Sequence, residues 1–532
     1  MFAVPKTPPI PRALATTVPR LIAPLGRIPL VRNGISWLVI NQLANTTTPR
    51  PRPLTLLADY AGWTSLTDRR WTGRHLPPAA PEDVAALPSE ADVNDLYRRG
   101  VSAVPSTDTS VLFMFFAQWF TDSFLRTDHT DFRRNTSNHE IDLCQIYGLA
   151  EPQTRMLRSR TGGRLKSQNL DGEEYPVFLF EPREPGTRPR IKPEFTGLHD
   201  ETWLIDTILA GAPDAHLDTF FAVGLEHGNS TIGTTLLNVV FLREHNRIAD
   251  LLADEHRDDP AWDDDRLFET TRNIMIVLLL DLVVEEYITH IAPFDFPLRN
   301  VRFVADGARW NRSNWCTIEF DLLYRWHSLV PDQIGSGPEQ LLPKDFRNNN
   351  PAVVERGVEA LITLCSRERA GRIGLNNTPS FLVDRWDPDR PSVEERTIAL
   401  MRQARLRSYN DYREHFGLRR LHRFEELTQD EGLRKQLQAR YDTIDQLEWY
   451  VGIFAEDYPD YAMMGELLTT MVAYDAFTQA LTNPLLARNV FTTETFTATG
   501  MKIISETTCL QQIVDRTSVR PDPVVARFST GG

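Results

Sequence analysis

From Ser110 onward, apolar residues recur every three to four positions and alternating, strand-like patterns are scarce. That period commits most of the chain to helices. Four stretches carry it best. Val111 to Arg126 is the first, and Thr235 to His256 is expected as a long amphipathic helix with Leu237, Val240, Phe241, Ile248, Leu251 and Leu252 on one side. Arg266 to His290 is nearly apolar in its middle, and Ile318 to Val330 is expected to run until Pro331 stops it. Shorter helices are predicted at Val353–Ser366 and Gly465–Leu481. Residues 60–105 read as loop, and the prolines upstream leave room only for short helices, the best from Leu30 to Leu43. The chain reads as mainly α: a basic, Pro-rich segment over residues 1–53, then one large helical domain over residues 54–532.

Charge divides the chain the same way. Residues 1–58 hold Lys6, Arg12, Arg20, Arg27, Arg32, Arg50 and Arg52 with no acid, so this head is +7 and the rest is −21 within a total of −14. An acidic body makes the whole chain a poor match for nucleic acid. A basic, partly apolar head suits an anionic surface, so residues 1–43 are expected as short membrane-facing helices. The longest apolar runs, VLFMFF and IMIVLLL, are too short to span a bilayer. The opening MFAVPKTPPIPR lacks the continuous apolar core of a secretion signal, and Cys144, Cys316, Cys365 and Cys509 form neither a zinc pattern nor a disulfide framework. These features predict a cytoplasmic protein attached peripherally to a membrane.

The sequence has no phosphate-binding loop, no HExxH, no GxSxG and no chelating histidine cluster. Catalysis would therefore rest on a cofactor held by a single residue. Two stretches offer chemistry. In EFDLLYRWHSLVPD, Glu319 to Asp332, a helix would place Tyr324 and His327 on one face. A free imidazole can ligate haem iron, but a His–Tyr pair on an apolar helix is more often core packing. In FFAQWFTDSFLRTD, Phe115 to Asp128, Gln118 and Asp122 are one helical turn apart on a face otherwise apolar and aromatic. Such a carboxylate either meets water or serves a buried site.

Taken in order, these stretches resemble the cyclooxygenase-like branch of the animal-type haem peroxidases. FAQWFTDSFLRTDH resembles the distal-side helix, FLREHNRIADLL the LREHNR helix, and LLYRWHSLVPD the segment carrying the radical Tyr and the haem-binding His. IDLCQIYG, RAGRIG, YNDYREHFGL, FEELT, IDQLEWYVG and GMKII follow with counterparts in order, from about Ile28 to about Ile513. The resemblance implies haem b, with His327 as proximal ligand and Tyr324 as the hydrogen-abstracting radical residue. Trp326 and Leu323 would lie between haem and a fatty-acid channel. Arg32, in IPLVRNGISW, would pair with the substrate carboxylate, as a guanidinium can do bidentately.

The departures also carry information. The family's distal His falls on Asp122, while its Gln is kept as Gln118. The Tyr that helps the Arg falls on Phe294, the channel Ser on Ala476 and a nearby small Gly on Val472. The carboxylate-holding His of plant α-dioxygenases falls on Val283. The growth-factor-like module has no counterpart in these residues, which leaves the oligomeric state open. The expected activity is haem-dependent fatty-acid oxygenation by O2, with weak peroxidase activity because Asp122 replaces the distal His. A general peroxidase acting on phenols and a non-catalytic haem protein are the alternatives.

Overall fold

The computed structural model describes residues 28–45, 56–60, 62–292, 297–308, 310–311, 313–520 and 522–531. Seven helices place the site. α1 (Pro29–Asn45) comes first, then α2 (Val111–Thr121), α3 (Ile232–Glu255) and α4 (Asp264–Leu282). α5 (Ile318–Leu323), α6 (Val393–Gln403) and α7 (Glu466–Leu481) complete the set. Strands among the described residues are marginal: β1 (Pro105–Ser110) pairs antiparallel with β4 (Arg369–Gly371), and β2 (Ser167–Leu170) with β3 (Glu173–Pro176). The mainly helical reading holds, and no described helix is long and apolar enough to cross a membrane.

α2 and α3 form the centre. Ser110 caps α2 by accepting from the amide of Phe113, and every α2 residue except Gln118 is buried. Thr231 caps α3, which is buried on all sides from Ile232 to Asn246, so the expected amphipathic stripe applies only to its last turns. The helices nearly touch at Gly233, where a Cβ would fall 1.9 Å from Cγ of Phe115. The polar LREHNR residues are anchors. Arg243 bridges Glu173 (2.8 Å) and Glu359 (3.1 Å), and His245 joins the Tyr147 hydroxyl (2.8 Å) and the Gly163 carbonyl (2.9 Å). Burial holds His245 down at about 3, so its imidazole is neutral and structural.

Several expected helices are shorter than their periodicity suggests. α2 stops at Thr121, with Asp122 as its C-cap. The Arg266–His290 stretch is α4 followed by one π turn, Val283–Tyr287, and a short helix Ile288–Ile291. The Val353–Ser366 stretch splits into Asn350–Arg356 and Val358–Arg367 because Gly357 between them has φ 86°. Residues 60–105 hold short helices at Trp63–Thr67, Pro81–Ala85 and Glu90–Asn94 rather than loop alone. The Ile318–Val330 helix ends at Leu323, and a single 3-10 turn, His327–Leu329, follows it.

Candidate active site

Tyr324 and His327 do not share a helix face. Tyr324 caps α5 with φ −86° and ψ 2°, and Trp326 adopts φ −81° and ψ 54° while its amide donates to the Tyr324 carbonyl at 2.8 Å. Pro331 holds Val330 in extended backbone after the 3-10 turn. The rings of Phe320 and Trp326 pack on Tyr324, with centroids at 5.2 and 4.9 Å. The Tyr324 hydroxyl is buried without a hydrogen bond and faces the Tyr287 hydroxyl, itself buried and unsatisfied. Burial pushes the Tyr324 phenol far above its usual range, so it is protonated at any ordinary pH.

His327 is 21% exposed at its side chain and holds Glu394 of α6 through Nδ1 at 2.8 Å. Among the described residues no protein group hydrogen-bonds its Nε2. One nitrogen fixed by a carboxylate and the other free is the donor arrangement of a haem-ligating His. Leu323 and Trp326 are buried beside it.

The second group of candidate residues lies on α2 and at its C-cap. The Gln118 amide donates to the Ser230 hydroxyl at 3.3 Å and its oxygen accepts from Thr231 at 3.1 Å. Asp122 follows one turn later, close to a cluster of charged groups. Desolvation raises its carboxyl to about 7; Arg126 opposes the shift, and Glu226 and Asp321 add to it. Arg126 donates to the Asp122 carbonyl at 3.3 Å and forms a tight ion pair with Glu226. Against the cost of burial, Arg126 and His227 hold Glu226 down at about 2. An aromatic wall connects the two groups: Phe113, Phe116 and Phe120 of α2 surround Tyr287 at 5.0, 5.5 and 5.6 Å, and Phe113 stacks on Trp326 at 6.2 Å.

α7 is the shared wall behind Tyr324. It packs against α5, the π turn bearing Tyr287, and α1. Val472 and Ala476 lie buried on it, next to a polar feature, a 2.8 Å pair between Asp475 and His75 with both side chains 1% exposed. Arg32 on α1 is half-buried, with a buried, unpartnered Nε. Desolvation lowers its guanidinium, as does Arg299 beside it, while Glu285 opposes. Phe294 lies outside the described residues.

The His327 imidazole, with Nδ1 held by Glu394 and no partner on Nε2 among the described residues, fits what a haem ligand needs. Comparison with known proteins agrees, because the sequence profile described as animal haem peroxidase matches residues 124–526. The chain belongs to the animal haem peroxidase family. It is similar to prostaglandin G/H synthase 1 of Rattus norvegicus, 31% identical over 500 residues that cover 91% of this chain and 77% of the relative. Its fold is similar to peroxidase A of Dictyostelium discoideum, with TM-score 0.69, 19% identity, and 87% and 95% of the two chains covered. It also resembles the fatty acid alpha-dioxygenase of Oryza sativa, with TM-score 0.67, 16% identity, and 84% and 80% covered. As a member of the animal haem peroxidase family, the chain is a haem-dependent oxidoreductase.

Sequence reasoning missed Glu394, Arg299, Tyr287 and the Asp475–His75 pair. Glu394 sits in SVEERTIALMRQ, which looks like a solvated charge run. Its helical spacing to the buried Ile398 and Met401 was the available signal.

Proposed function

We propose that the chain is a fatty-acid dioxygenase in which Tyr324, as a radical, abstracts hydrogen from the substrate before O2 adds. The observation that carries this reading is the Tyr324 hydroxyl, buried without a hydrogen bond between the residue that would hold haem and the α7 wall. Haem b, bound through Nε2 of His327, supplies the oxidising equivalent. The phenol loses its hydrogen and becomes the radical, which takes a hydrogen atom from a substrate carbon. O2 adds to that carbon, and the peroxyl radical recovers the hydrogen from Tyr324. The Rattus norvegicus synthase and a solved Oryza sativa fatty acid alpha-dioxygenase with palmitic acid support a fatty acid as substrate.

The remaining residues take roles around this step. Val472, Ala476, Leu323 and Trp326 bound the acyl chain. Arg32 takes the carboxylate, supported by its half-buried place and its free Nε. Gln118 and Asp122 serve the peroxide side, and peroxidase activity is weak because a carboxylate at 122 has no N–H with which to hydrogen-bond bound peroxide. A peripheral membrane contact through residues 1–43 is supported by the exposed Leu30, Trp37 and Leu38 along α1. Co-flotation with anionic vesicles tests it, and protein left at the bottom of the gradient rejects it.

Oxygen uptake with a fatty-acid panel, run beside guaiacol oxidation by peroxide, decides the main reading. Mass spectrometry of the products names the carbon attacked. Guaiacol turnover without fatty-acid-dependent oxygen uptake replaces the dioxygenase with a general peroxidase.

A further inference from the structure

The two nitrogens of His327 have different environments. Nδ1 meets Oε1 of Glu394 at 2.8 Å, and that carboxylate is 1% exposed. Its other contacts are weak: the Thr378 hydroxyl donates to Oε1 at 3.4 Å and the Tyr450 hydroxyl to Oε2 at 3.4 Å. Among the described residues no Arg or Lys forms an ion pair with Glu394. A buried carboxylate needs strong hydrogen bonding, and the imidazole N–H is its best donor. The proton is therefore fixed on Nδ1, and the lone pair of Nε2 is left for a ligand.

Glu394 is also firmly placed. It occupies the first turn of α6, where the helix dipole favours negative charge. Ser392 and Glu395 close a capping box around that turn, with bonds of 2.7 and 3.1 Å, and Arg385 grips Glu395 with two bonds of 2.8 Å. The carboxylate cannot easily swing away from the imidazole.

We propose that Glu394 is the positioning residue that gives His327 anionic character toward haem. A carboxylate pulling on Nδ1–H makes Nε2 a stronger donor, stabilises ferric over ferrous iron, and pushes electron density toward a peroxide bound opposite. This matters here because Asp122, once deprotonated, has no N–H to hydrogen-bond bound peroxide, as an imidazolium would. The inference rests on His327 being the haem ligand.

The test uses haem-loaded wild type, Glu394→Gln, Glu394→Asp and His327→Ala. Glu394→Gln keeps the length and an acceptor oxygen but removes the charge. Its iron–histidine stretch in the ferrous resonance Raman spectrum moves to lower frequency, its midpoint potential rises, and its reaction with peroxide slows about 10- to 100-fold. Haem content stays at the wild-type level. Glu394→Asp, charged but shorter, falls between the two. A Gln variant with wild-type stretch and potential overturns the proposal. A check needing no variant is the wild-type stretch itself, which lies above that of 2-methylimidazole-bound ferrous haem measured alongside; equality overturns the proposal too. A wild-type stretch that survives in His327→Ala instead sinks the ligand assignment, a separate failure.

Discussion

The hydroxyls of Tyr324 and Tyr287 are both buried, and they face each other without completing a hydrogen bond. Each phenol reaches that point by a departure from regular helix. Tyr324 caps α5 as its backbone leaves the helix, and Tyr287 ends the π turn that extends α4. Local irregularities of this kind recur at functional sites. Tyr324→Phe is expected to abolish fatty-acid-dependent oxygen uptake while haem content stays unchanged. Removing an unsatisfied buried hydroxyl also gains about 1 kcal/mol of stability, readable as a higher denaturant midpoint. Wild-type oxygen uptake in the Phe variant would dismiss the radical role.

Arg32 tests the other end of the site. A charge-assisted hydrogen bond to a carboxylate is worth roughly 1.5–3 kcal/mol, so Arg32→Leu is expected to raise KM for a fatty acid about 10- to 100-fold. The carboxylate is remote from the reacting carbon and is held equally in ground and transition states, so kcat changes little. Arg299, the neighbouring cation, gives a smaller effect when changed in the same way. Equal KM values for a fatty acid and its methyl ester in wild type would remove the contact altogether.

The His75–Asp475 pair predicts a stability effect. Both side chains are 1% exposed and 2.8 Å apart, on segments 400 residues apart in sequence. Removing one member of a buried hydrogen-bonded pair costs roughly 1–3 kcal/mol. His75→Leu is expected to lower stability by that amount in chemical unfolding. A loss under about 1 kcal/mol would mean that water or another group takes over Asp475.

The helical class and the place of the main helices were legible because burial of an apolar face imposes a period on the sequence. Their ends were not. α5 stops at Leu323, well before the residue that Pro331 restricts, although the apolar period runs on. Tyr324, His327, Gln118 and Asp122 stood out in the sequence as polar residues in apolar runs, and only the family resemblance gave them expected roles. Glu394 was hidden among other charges, and Arg299 was hidden because its neighbour Arg32 is brought to it only by the tertiary fold. A charge run and a buried carboxylate look alike until the partner is known.

Asp122 gives the prediction with the sharpest pH signature. Desolvation raises its carboxyl from 3.8 to about 7, so it is protonated below that pH and a carboxylate above it. A base must be deprotonated to accept a proton, so the rate of reaction with peroxide is expected to rise with pH and level off above about 7. Stability runs the opposite way. Between pH 3.8 and about 7 the unfolded chain has lost this proton and the native state keeps it, so stability falls as pH rises through that window. Asp122→Asn removes both trends, leaving a slow, flat peroxide reaction. Asp122→His supplies an imidazole that accepts the proton of peroxide or HCN and then hydrogen-bonds the bound anion. It is expected to speed peroxide reaction at least about tenfold at pH 6 and to tighten cyanide binding. An idle carboxyl pointing away from the haem predicts no change in Asp122→Asn at any pH. A peroxide rate in wild type that is flat from pH 5 to 9 would therefore retire Asp122 as the distal base.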